Sequence, residues 1–203
     1  MTAKNLIIAL VLGSALAGGI YVGSNLSKPA LPQSALIIPT PTALPEFELI
    51  GHTGAAVNAN TFRGQWDLLF FGFTQCPDIC PTTLQFLANV KKQLVESGSE
   101  DDPRIVLVSV DPERDTPEIL GNYVDYFGAG NLGVTGDLAE LNKLTRALGI
   151  YFEKTITDGD NYTVNHSAAV LVIDPQGRFS ALFSSPHIAD DYLHDLPIVM
   201  GNN

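Results

Sequence analysis

Three unbroken apolar runs, each the length of a β-strand, constrain the fold of this chain more than any other feature. Leu68-Leu69-Phe70-Phe71-Gly72-Phe73, Arg104 to Val110 (RIVLVSV) and Ala168 to Asp174 (AAVLVID) lack the alternation of a half-exposed strand, so they predict strands covered on both faces. Between them lie helical patterns. Pro81 to Val95 carries Leu84, Leu87, Val90 and Leu94 at three-to-four spacing, Thr116 to Phe127 opens with Thr116-Pro117-Glu118, and Leu138 to Leu148 follows. Strands alternating with helices mean an α/β sheet with both faces covered. Pro175-Gln176-Gly177-Arg178 predicts a turn into Phe179 to Phe183, hence a terminal hairpin, and Ile188 to Met200 predicts a last helix. Phe47 to Ile50 and Ala56-Val57, around Thr53-Gly54, predict a small hairpin ahead of the first core strand. The chain has no internal repeat.

A length of 203 residues allows one domain plus an appendage, and the appendage is N-terminal. No charged residue lies between Lys4 and Lys28, and Asn5 to Leu26 is long enough to cross a hydrocarbon core, which takes ~20 helical residues. Residues 1–26 therefore read as a transmembrane anchor. The competing reading is a cleaved signal peptide, with Lys4 as basic flank and Ala15-Leu16-Ala17 as cleavage site; the apolar run continues past that site through Ile20, Tyr21 and Val22, which favours the anchor. Either reading exports the remainder, and the expected location is the inner membrane with the head in the periplasm or an equivalent space. Residues 27–45 contain Pro29, Pro32, Pro39, Pro41 and Pro45 and predict an extended stalk, leaving 46–203 as a single globular head. Lys4 and Lys28 are the only two of the 11 basic residues outside that head, which holds all 22 acidic ones. So acidic a surface excludes a phosphate-covering, nucleic-acid-binding role.

Two cysteines cannot form a multi-bridge scaffold or a four-thiolate zinc site, but they can form one disulfide or supply two soft ligands. Cys76-Pro77-Asp78-Ile79-Cys80-Pro81 lies between a core strand and a helix, where free backbone N–H groups and the helix dipole favour thiolates; Asp78 pushes the other way. A spacing of four puts both sulfurs on one side of a helical turn, within reach of each other or of one ion. A purely structural disulfide is the plainer reading, yet so short a loop would remove little chain entropy. Of the four histidines, His166 immediately precedes the AAVLVID strand, at a strand end where sites in α/β sheets are usually built. Two thiolates and an imidazole form a soft, low-coordination set suited to Cu(I) and, with further donors, Cu(II); zinc would want a fourth ligand.

Phe71 to Leu84 (FGFTQCPDICPTTL), Val108 to Glu118 (VSVDPERDTPE) and Val164 to Phe179 (VNHSAAVLVIDPQGRF), in this order, resemble the SCO1/SenC family of membrane-anchored copper proteins. The resemblance spans most of the head, roughly Phe47 to Leu193, and the anchor and stalk fit the same plan. It implies a thioredoxin-like fold, Cys76, Cys80 and His166 as copper ligands, and a role in maturing the dinuclear copper centre of cytochrome c oxidase, with that oxidase subunit and an upstream copper donor as partners. One departure is Asn165, where the family often has an acidic residue directly before the histidine; it puts tuning for the oxidised ion in question.

The rival class is a thiol-disulfide reductase, with Cys76 attacking a substrate disulfide and Cys80 resolving it, acting on the cysteines of that copper centre or on other exported proteins. Against a general oxidoreductase stand the spacing of four and a histidine at 166, where thioredoxins generally carry a cis-proline. Peroxiredoxin chemistry needs a threonine at another offset than Thr74. His187, Asp191 and His194 could share a helix face as a second metal site, but an exposed acidic helix with Asp190, Asp191 and Asp195 would show the same residues. His52 reads as a turn residue, and Trp66 with the phenylalanines of the first core strand as core. Asp111-Pro112-Glu113-Arg114-Asp115 reads as capping and loop ion pairing, with Asp111 as a candidate group behind the metal ligands.

Overall fold

The computed structural model describes residues 31–99, 101–157 and 161–201, with Lys4 and Gly13. The chain divides into two compact units, Met1–Leu31 and Pro32–Asn203. The expected anchor, apart from Lys4 and Gly13, lies outside the described residues. Among these no helix is long and apolar enough to cross a membrane.

Among the described residues, the second unit contains ten strands and four α-helices. The strands are β1 (Leu36–Ala43), β2 (Leu49–Gly51), β3 (Ala56–Val57), β4 (Asp67–Gly72), β5 (Arg104–Ser109), β6 (Leu132–Thr135), β7 (Phe152–Ile156), β8 (Tyr162–His166), β9 (Val170–Ile173) and β10 (Arg178–Phe183). The helices are α1 (Ile79–Glu96), α2 (Pro117–Tyr126), α3 (Leu138–Ala147) and α4 (Ala189–Gly201). Eight strands form one sheet in the order β1-β10-β9-β4-β5-β6-β2-β3, and β7 pairs only with β8. The centre is mixed: β4, β5 and β6 run parallel, and β9 joins β4 antiparallel.

The three apolar runs became the core strands β4, β5 and β9. Every residue of β4 and β9 is buried, and in a pleated strand that requires cover on both faces. α1 buries Leu84, Leu87, Val90 and Leu94, the stripe legible in the sequence. α2 starts where its Thr-Pro signal places it, with the Thr116 hydroxyl capping the Ile119 N–H and Pro117 at the first helical position. In the β9–β10 turn the Asp174 carboxylate accepts the N–H groups of Gln176 and Arg178.

The expected stalk is built in part into the sheet. Its second half, Leu36–Ala43, is the edge strand β1, paired antiparallel with β10 through Leu36–Leu182, Ile37–Ala181, Thr42–Phe179 and Ala43–Arg178. Pro39 and Pro41 fall in the register break between Ile37 and Thr42, so the missing proline N–H groups cost no ladder bonds; an edge strand tolerates this where a central one would not. Asp195 of α4, expected on a solvated face, is fully buried. Its carboxylate accepts the backbone N–H groups of Gln33, Ser34 and Ala35 at 2.7–3.0 Å and fastens the approach to β1. Burial pushes this carboxyl up, but the hydrogen bonds from His194 and these three amides prevail and hold it below the ordinary carboxylate range.

Candidate metal centre

β4 ends at Gly72 beneath a short loop, Phe73 to Asp78, which leads straight into α1. The loop is held from below by Asp115, fully buried, whose carboxylate accepts the Thr74 N–H (3.0 Å), the Thr74 hydroxyl (2.5 Å) and the Ser109 hydroxyl (2.6 Å). The Cys76 N–H donates to the Phe73 carbonyl, which turns the chain so that the Cys76 sulfur faces the start of the helix. Asp78 occupies the N-cap position but makes no side-chain cap. Instead the Cys80 N–H donates to Cys76 Sγ at 3.4 Å, so the sulfur takes the place usually filled by a capping oxygen. Both cysteines are free; Cys80 is fully buried and Cys76 is 9% exposed.

His166 arrives from a direction the sequence reading did not foresee. It is the last residue of β8, in the register Phe152–His166, at the end of a hairpin outside the main sheet. Its ring packs edge-on to Phe70 and Phe73, with centroids 5.8 and 5.9 Å away. Nδ1 lies 3.0 Å from the Ser167 carbonyl, which can only accept, so Nδ1 carries the proton and Nε2 is left as the acceptor. Nε2 points at Cys80 Sγ, 3.4 Å away. Cys76 Sγ, Cys80 Sγ and the imidazole nitrogen all lie within 4.8 Å of one another. In a trigonal site with metal–sulfur bonds of about 2.3 Å, donors stand about 4 Å apart, so one ion fits among these three with little rearrangement.

The electrostatics correct one expectation. The helix terminus by itself would favour both thiolates, but burial pushes the Cys80 thiol well up, with Cys76 and Asp115 adding to it and the Phe73 backbone hydrogen bond opposing. Burial pushes the His166 imidazole down, against the Ser167 hydrogen bond, so it stays neutral and ready to ligate below the usual histidine range. At neutral pH a soft ion must displace the Cys80 proton, while His166 has none to lose at Nε2. Apparent Cu(I) affinity should rise by about tenfold or more per pH unit between about pH 6 and 8, one decade for each proton released. Competition titration across that range reads the slope, and a flat profile would contradict it.

The other candidates do not join the site. His187 Nε2 donates to the Ala168 carbonyl at 2.9 Å while Nδ1 accepts the Tyr192 hydroxyl at 2.8 Å, and His194 pairs with Asp195. Neither belongs to a metal-capable cluster among the described residues; Cys76, Cys80 and His166 form the one found there. His52 is a turn residue whose Nδ1 accepts the Gly133 N–H. Trp66 and the β4 phenylalanines are core. Asp111 touches no ligand and binds Arg114 and the Tyr162 hydroxyl. Asn165 faces away from the cysteines, as strand alternation next to His166 requires, and its amide donates to the Thr155 hydroxyl across the hairpin. A carboxylate at that position would sit in the same place.

A thioredoxin-like α/β domain whose first core strand, first helix and a side hairpin converge two cysteines and a histidine is the class these observations define. Residues 38–200 match the SCO1/SenC family model, and the chain belongs to that family. It is 37% identical over 170 residues to a proposed copper-binding protein of Stutzerimonas stutzeri, covering 83% of this chain and 82% of that one. It is 37% identical over 146 residues to the mitochondrial SCO2 homolog of Bos taurus, covering 71% of this chain and 55% of the relative, so it spans only about half of that longer protein. Among solved structures it resembles copper-bound ScoI of Arabidopsis thaliana, with a TM-score of 0.71 and 34% identity over 77% of this chain and 96% of that one.

Proposed function

We propose that this protein is a copper chaperone that holds the ion between Cys76, Cys80 and His166 and passes it to the dinuclear copper centre of cytochrome c oxidase. The observation that carries the reading is the convergence of three soft donors, all within 4.8 Å, from segments far apart in the chain. A copper-bound relative at 34% identity supports copper as the ion, and the family resemblance supports the oxidase as destination. The sequence pattern of residues 1–26 supports attachment to the inner membrane, with the head on the periplasmic side.

Transfer follows from unequal burial. Cys80 is sealed from solvent, whereas His166 and Cys76 border the surface. An incoming partner ligand would displace the imidazole first, because a neutral nitrogen binds Cu(I) less firmly than a thiolate. Cys76 would follow and Cys80 would leave last, taking up a proton that its buried environment favours. Joining the two thiols as a disulfide, with loss of two electrons and two protons, removes both sulfur ligands, so holding requires reducing conditions.

His166→Ala tests this against dithiol reductase chemistry. The chaperone reading expects roughly 10–100-fold weaker Cu(I) binding and loss of oxidase assembly in cells, with turnover of a model disulfide unchanged. Unchanged affinity and assembly, with disulfide turnover kept by the intact cysteine pair, would favour the reductase.

A further inference from the structure

One charged side chain touches both halves of the site without being a ligand. Arg114 lies in the turn between β5 and α2. Its Nη1 donates to Gln75 Oε1 and to the Tyr162 carbonyl, each at 3.2 Å. The guanidinium lies over the Tyr162 ring, 3.8 Å from its centroid, and 5.7 Å from that of Phe73. Nε is paired with Asp111, which also accepts the Tyr162 hydroxyl at 2.8 Å. Gln75 adjoins Cys76, and Tyr162 opens the strand that ends at His166.

The hairpin needs such a strut. β7 and β8 form a two-stranded sheet of their own, an arrangement marginal in water by itself, and most of β7 is exposed. The Lys154–Glu113 pair also ties it down, but at 41% and 64% side-chain exposure such a pair holds little. The Arg114 contacts are better suited: a planar guanidinium can stack on a ring and present its N–H groups in a fixed plane at the same time.

We propose that Arg114 is a positioning residue for the copper site, setting the distance between the loop that bears Cys76 and the hairpin that bears His166. This rests on the copper reading above. Arg114 touches no ligand; as a strut that holds the hairpin against the Cys76 loop it acts on copper through the position of His166, and that separates it from a residue that merely stabilises the fold.

The test is a double-mutant cycle on the reduced full chain, titrating Cu(I) against a chromogenic chelator in the parent, Arg114→Met, His166→Ala and the double variant. Arg114→Met should weaken binding by about 10–100-fold, the range typical of residues that orient metal ligands, and the loss should vanish in the His166→Ala background. In the copper-free protein, amide exchange across Tyr162–His166 should quicken while that of β4 and β5 stays unchanged. Arg114→Lys keeps the charge but loses the fork and should behave the same way; it replaces Arg114→Met in the cycle if thermal melting shows that the latter does not fold. Equal losses in both backgrounds, or no loss at all, would overturn the assignment of Arg114 and leave the copper reading standing. A His166→Ala variant that binds copper as tightly as the parent would overturn both.

Discussion

Replacing both cysteines, Cys76→Ser with Cys80→Ser, should abolish tight Cu(I) binding while leaving the metal-free fold in place. A serine hydroxyl stays protonated at neutral pH, so two of three donors disappear and one neutral imidazole remains. Losing even an outer partner of a metal ligand costs about 10–100-fold, so losing two ligands should cost at least about 10⁴-fold. The fold should survive because a hydroxyl at position 76 can still accept the backbone N–H of residue 80 as an ordinary helix cap, the bond Cys76 Sγ now receives. Against this, the second substitution places a hydroxyl where Cys80 is fully buried, at a cost of roughly 1–3 kcal/mol. Copper titration and a thermal melt of the same sample separate the two effects. Copper held as tightly as by the parent would show that the ion sits elsewhere.

Gly72→Ala should damage the site without touching a ligand. Gly72 ends β4 directly beneath the cysteines, and a Cβ there would lie 2.8 Å from Cys80 Sγ, 3.0 Å from Phe70 Cε1 and 3.3 Å from Leu107 Cδ1. None of these can swing into solvent, because all three residues are fully buried. The backbone itself does not oppose alanine, since φ at this position is not in the left-handed region. The penalty is therefore overpacking, about 1–3 kcal/mol, which in a protein of this size lowers the melting temperature by roughly 2–12 °C. The Cys80 sulfur must shift, and Phe70 carries the edge of the His166 ring, so copper affinity should fall by about 10-fold or more. A variant with the parent's melting temperature and affinity would mean that the packing around Cys80 is looser than these distances imply.

Much of this architecture was legible in the sequence because it rests on local signals. The runs of β4, β5 and β9 are continuous because both faces are covered, and the α1 stripe has helical period because one side meets the sheet. The cysteine pair announced itself through its place between a core strand and a helix. What stayed hidden depends on tertiary context. β1 carries two prolines and reads as a linker, yet the register break absorbs them at the sheet's edge. β7 and β8 are only five residues each and partly polar, so their pairing had no apolar run to mark it; the Asp158-Gly159 turn signal with Tyr162-Thr163-Val164 after it was the available cue. Asp195 looked like one more acid on an exposed helix, and His194 with the chain passing over it at Gln33 to Ala35 makes its burial favourable. The Cys80 thiol shows the same limit: helix position argued for an easily lost proton, whereas burial, invisible in sequence, prevailed.

The proposed copper site holds one ion between three side chains of a single molecule. X-ray absorption at the copper edge of the reduced, copper-loaded full chain tests that directly. The expected spectrum shows one copper per chain with two sulfurs at about 2.3 Å and one imidazole nitrogen at about 2.0 Å, the nitrogen vanishing in His166→Ala. Two sulfurs with no nitrogen in the parent, or copper shared between two chains through sulfur alone, would contradict it.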